Sequence, residues 1–81
     1  MYYTYLIKSK IKNWKYIGST GNLRERFLSH NSGKVRSTKH YKPFELIYYE
    51  AYETLILARK RELELKNNSQ QKEFLLKRLK I

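Results

Sequence analysis

The order of signals along the chain predicts a small α+β fold: a three-stranded antiparallel sheet in ββαβαα order, flanked by helices. Three observations lead there. Two short segments rich in aromatic and β-branched residues flank a polar turn near the N-terminus, and a third lies mid-chain. Cap residues mark two helices on either side of that third segment, and apolar residues mark a last helix after them. Finally, 81 residues without cysteine allow one thin core, 1–81, with neither disulfide nor thiolate zinc to brace it.

Each element has its own warrant. Tyr3, Tyr5 and Ile7 alternate with Thr4, Leu6 and Lys8, as a strand requires. Residues 9–13 are a polar turn, and Trp14 to Ser19 reads as the return strand of a hairpin over 2–19. Gly18, near its end, permits close backbone approach. Asn22 with Glu25 three positions on is an N-cap with a capping-box partner. That helix runs to about Asn31, burying Leu23 and Phe27, and Asn31-Ser32-Gly33 stops it. Residues 34–43 read as a basic, flexible loop ending at Pro43, the single proline. Phe44 to Tyr52 predicts a third strand buried on both faces near its centre. Thr54 caps a helix from Leu55 to about Lys66, Asn67-Asn68-Ser69 breaks it, and Phe74, Leu75, Leu76 and Leu79 mark a last amphipathic helix.

Charge narrows the partners. Eighteen Lys and Arg face seven acids, all glutamate, for a net charge of +11. Residues 1–24 and 27–44 contain no acid. A fold of this size cannot hide that excess, so its field concentrates polyanions, and nucleic acid is the expected partner. The basic loop (Lys34, Arg36, Lys39, Lys42), with Lys8, Lys10 and Lys12, would grip backbone phosphates, contacts that carry little sequence information. No segment pairs a basic face with a wide apolar one, and no apolar run approaches the ~18 residues of a membrane helix. Without a charged-then-apolar leader pattern either, a cytoplasmic location is expected.

Candidate chemistry sits on few side chains. On a helix drawn over 55–66, Leu55, Ala58, Leu63 and Leu65 cluster on one side with Glu62 in their arc, while Glu64 faces solvent. A carboxylate on an inward stripe is paired, neutralised or bound to a metal. The plain alternative is a salt bridge at the rim of the core, with Arg59 or Lys66. Arg26 and His30 stand at i, i+4 and project from one face. Arg24 is equally available as a cation, and a histidine at a helix end is commonly a surface residue. Tyr5 and Tyr16, in the two hairpin strands, read equally as core aromatics.

Taken together, Tyr5, Tyr16-Ile17-Gly18, Arg26, His30 and Glu62 resemble the GIY-YIG nuclease family across roughly residues 2–68. Tyr16-Ile17-Gly18 matches the second motif unchanged. Tyr3-Thr4-Tyr5 keeps the tyrosine of the first motif and departs at the other two places. Arg26 follows Tyr16 at the family's spacing, and Ala58 to Lys66 is similar to the setting of the family's metal-binding glutamate. The resemblance implies a metal-dependent endonuclease acting on nucleic acid, DNA favoured over RNA. Tyr16, supported by Tyr5, would orient or deprotonate the attacking water, while Arg26 holds the phosphate and His30 assists. Glu62 would bind a single Mg²⁺ or Mn²⁺, since a chain with no aspartate offers little for a two-metal centre. The alternative on the same fold is a binding module that holds DNA or RNA without cutting it.

Overall fold

The computed structural model describes residues 1–81. Strand β1 spans Tyr2–Ser9, β2 Lys15–Thr20, helix α1 Leu23–Asn31, β3 Phe44–Tyr52, α2 Leu55–Asn67 and α3 Ser69–Leu79, with one 3-10 turn at Lys39–Tyr41. The sheet order is β2-β1-β3, antiparallel throughout, so the ββαβαα arrangement expected of the sequence is the observed one.

The middle place belongs to β1, and this decides where the core sits. Thr4, Tyr5, Leu6 and Ile7 are all buried, because helices cover both faces. Leu6 packs with Ile17, Leu65 and Leu75 under α2 and α3. Tyr5 and Ile7 pack with Phe44 on the other face, beside Leu23 and Phe27 of α1. Thr4 is absorbed into the first face by donating its hydroxyl to the Ala58 carbonyl at 2.6 Å. By contrast β3, expected to be buried on both faces, is an edge strand. It pairs on the free side of β1 and gains only one neighbour, so Phe44 is its single buried residue.

Caps fix the helix starts where the sequence puts them. Asn22 accepts from the Glu25 amide at 3.1 Å, and Thr54 accepts from that of Leu57 at 3.2 Å. Asn68 does two jobs at once: its amide closes α2 on the Glu64 carbonyl while its side chain accepts from Gln70 and Gln71 to open α3. Each such cap contributes about 1 kcal/mol.

Two further expectations need correction. Leu63 is 56% exposed, because it lies roughly 140° around the helix from Ala58. The buried stripe of α2 is Ala58 and Leu65, seven residues apart, with Glu62 beside it. The segment after α1 is also more built than a plain loop: Thr38 is fully buried, and Trp14 stacks on Tyr41 at 3.9 Å and 11°. Ser9 donates its hydroxyl to the Tyr41 carbonyl, tying the hairpin turn to this segment. No helix is long and apolar enough to cross a membrane.

Candidate active site

A missing side chain organises the site. Gly18 lies directly across from Tyr5 in the hairpin. A Cβ at position 18 would stand 2.5 Å from the Tyr5 hydroxyl and 3.0 Å from the Tyr16 ring, so only glycine lets the phenol lie over β2. Tyr5 thus reaches from the central strand toward α1, where His30 waits with its Nε2 2.7 Å from the phenol oxygen.

His30 is not the surface residue that its place at a helix end suggests; it is fully buried. Its Nδ1 lies 2.8 Å from the Thr38 hydroxyl, which in turn reaches the Val35 carbonyl at 3.4 Å. A carbonyl only accepts, so the direction of the chain follows. Thr38 donates to Val35, His30 Nδ1–H donates to Thr38, and the Tyr5 hydroxyl donates to Nε2. Burial, with the charge of Arg26 behind it, lowers His30 to about 4, which keeps this imidazole neutral at pH 7. Burial likewise pushes Tyr5 up to about 12, although Arg26 offsets part of the rise.

The two charged members arrive from different helices. Arg26, one turn before His30 on α1, is half-buried and lines a shallow cavity of about 180 Å³ with Thr20, Asn22, Glu25 and Ser29. It makes no ion pair. Arg24, its rival in the sequence, is exposed on the other flank of the helix. Glu62 comes from α2, which packs along the edge strand β2. Its Oε1 accepts from the Ser19 hydroxyl at 2.6 Å and its Oε2 from Lys66 Nζ at 2.6 Å. The Lys66 ammonium also sits 5.2 Å over the Tyr16 ring, linking the acid to the second tyrosine. Tyr16 in turn lies 5.2 Å from the His30 ring and 6.4 Å from that of Tyr5. The charges of both Arg26 and Glu62 are felt at Tyr5.

Tyr5, Tyr16, Arg26, His30 and Glu62 therefore gather around Gly18. The fold adds Ser19 and Thr38, which sequence reasoning missed. Each fixes its partner through a contact spanning 43 and 8 residues respectively, and a hydroxyl at such a distance leaves no local signal. The donor set at Glu62 is one carboxylate and one hydroxyl, with no cluster of three or more ligating side chains anywhere. Hard oxygens of this kind suit an ion such as Mg²⁺ whose remaining positions are filled by water and phosphate. Among the basic residues, Lys34, Arg36, Lys39 and Lys42 follow α1, with the Lys42 stem lying against Gly33. Lys8 stands apart from them, on the opposite face of the sheet beside Glu45, Ile47 and Ile81.

Comparison with known proteins bears on the family and the fold. The profile of the GIY-YIG catalytic domain matches residues 1–74. A UPF0213 protein of Staphylococcus saprophyticus is 36% identical over 76 residues, covering 93% of this chain and 92% of its own. The UPF0213 protein YazA of Bacillus subtilis is 35% identical over 75 residues, covering 91% and 75%. The solution structure of a UPF0213 protein from Bacillus halodurans superposes with a TM-score of 0.57 at 31% identity, covering 98% of this chain and 84% of that one.

Proposed function

This chain belongs to the GIY-YIG family, and from that premise we propose that it is an endonuclease that hydrolyses phosphodiester bonds, in DNA ahead of RNA, with one divalent ion at Glu62. The observation that carries the reading is the run of contacts about Gly18 that joins Arg26 to Tyr5, Tyr5 to Tyr16, and Tyr16 through Lys66 to Glu62. An arginine with no acid paired to it suits a phosphate, whose oxygens match its planar fork. Mg²⁺ or Mn²⁺ at Glu62 would supply Lewis-acid stabilisation of charge on the phosphate and the leaving oxygen.

The side chains divide the remaining work. Tyr16 is better suited than Tyr5 to orient the attacking water. Its hydroxyl makes no hydrogen bond within the fold, whereas the Tyr5 proton is committed to His30 and burial holds Tyr5 up at about 12. Tyr5 and neutral His30 then act as a fixed wall that positions the phosphate against Arg26. Ser19 aims the Glu62 carboxylate, and Lys66 lends positive charge to the Tyr16 ring. A cytoplasmic setting accords with this role.

The test is plasmid nicking with Mg²⁺, Mn²⁺ or chelator. Glu62→Gln is expected to lower metal-dependent nicking at least about 10²-fold, leaving the melting temperature and nucleic-acid affinity largely unchanged. Unchanged cleavage by this variant removes Glu62 from the mechanism. The Lys66–Glu62 ion pair favours one second reading, a binding module in which that pair is purely structural. Tight binding by the wild type with no cleavage in either metal selects the module.

A further inference from the structure

A second cavity, of about 530 Å³, opens on the other flank of α1, between that helix and strands β1 and β3. Its walls are Tyr3, Phe27, Leu46 and Tyr49, and Arg24 stands at its rim. The size falls within the ~300–1,000 Å³ of small-molecule sites, and no acid lines it. Tyr3 and Tyr49 meet edge to face, with ring centroids 5.9 Å apart at 72°, so that one phenol presents a flat face beside the other's edge. A core this thin needs its aromatics, yet Tyr49 is left 53% exposed.

Position links this cavity to the site over Gly18. Tyr49 pairs with Tyr5 across the sheet, one strand spacing of about 4.8 Å away. The two cavities also share Asn22, the N-cap of α1, so a chain passing round that helix end touches both. Arg26 faces one cavity and Arg24 the other, and neither makes an ion pair. An aromatic slot with one such cation at its rim and another on the adjoining cavity, on a chain of net charge +11, selects a polyanion over an apolar peptide.

We propose that the cavity of Tyr3, Phe27, Leu46 and Tyr49 is a subsite for an unpaired base of the substrate strand, whose neighbouring phosphate lies at Arg26. This rests on the reading of Arg26 as a phosphate ligand. A base held in a duplex has both faces stacked and cannot offer one to Tyr49; a splayed base can. The substrate class is therefore single-stranded or locally unpaired nucleic acid, bound without base-specific hydrogen bonds.

Equilibrium binding by fluorescence anisotropy, in chelator and at one salt concentration, tests it. The probes are labelled oligothymidylate and an abasic oligonucleotide of equal length and charge. The wild type is expected to prefer oligothymidylate by about 10-fold, the preference to vanish in Tyr49→Ala, and to persist in Tyr49→Phe. Arg24→Met should weaken both probes alike, as loss of a phosphate contact does. Equal affinity of the wild type for the two probes overturns the proposal whether or not any variant folds, and so does a preference that survives in folded Tyr49→Ala. The assay contains no divalent ion, so it stands apart from catalysis. A protein that discriminates but never nicks keeps the subsite and loses the nuclease, and one that nicks without discriminating does the reverse.

Discussion

Two polar clusters of nearly the same composition occupy this small fold, and they are finished differently. Where α2 covers β3, Glu50 accepts from the Tyr48 and Tyr52 hydroxyls and twice from the Arg61 guanidinium. Arg61 also donates to Glu64 and Gln71, so that β3, α2 and α3 are stitched together. Around Gly18 there are again tyrosines, an arginine and a glutamate. Here, however, Arg26 has no acid, the Tyr16 hydroxyl has no partner, and the Glu62 pair lies at the rim. The lesson is that residue types do not tell a brace from a site; unspent hydrogen-bonding and charge capacity does.

The comparison can be broken by exchanging consequences. Arg26→Met should cut nicking at least about 10²-fold and shift stability by less than about 0.5 kcal/mol, as read by plasmid assay and urea unfolding. Glu50→Gln should do the opposite. Arg61 loses its main partner, so a loss of about 1–3 kcal/mol is expected, with the melting temperature falling roughly 4–8 °C per kcal/mol, while nicking by the folded fraction is unchanged. If Glu50→Gln silences cleavage without destabilising, the division between brace and site fails.

Acid should sharpen the contrast. His30 is lowered from 6.5 to about 4, so the unfolded chain takes up its proton first as pH falls. Its contribution is fully present above pH 6.5 and is lost progressively down to about pH 4, amounting to about 3 kcal/mol. Burial opposes ionisation of Glu50, but the hydrogen bonds of Arg61 and the two tyrosines win and hold it below 4.5. Its share therefore starts to go only below that value. Unfolding midpoints that fall between pH 6.5 and 5 report the His30 side, and a flat profile there would place the imidazole in solvent. The smallest expected effect is on titration itself. In Arg26→Met the His30 ring should titrate at higher pH than in the wild type, followed by its NMR shifts, because one of the two influences lowering it is gone.

Much of the backbone was legible because its signals are local. Asn22 and Thr54 announce caps, and the aromatic alternation of residues 2–8 announces a strand. The order of strands was not, because nothing within Tyr2–Ser9 says that β3 will return to its free side. That single fact puts β1 in the middle, where helices on both faces bury Thr4 and Leu6 as well as Tyr5 and Ile7, and leaves β3 at the edge. In the site, Glu62 could be picked out from its place on a helical arc, although Leu63 does not share that arc. The burial of His30 could not, since it depends on Thr38 folding back eight residues later to satisfy its far nitrogen.

The edge position of β3 has a further consequence, for association. Nine residues with one open row of backbone amides and carbonyls invite a second molecule to add its own strand. What stands in the way is mutual repulsion: two copies of a +11 chain must approach side by side, and at 0.1 M salt the screening distance is still about 10 Å. The same excess that draws in polyanions thus acts as a guard against self-pairing. The guard weakens in molar salt or along a neutralising strand of nucleic acid, and crowding of the protein into dimers or larger particles should first appear there, by light scattering.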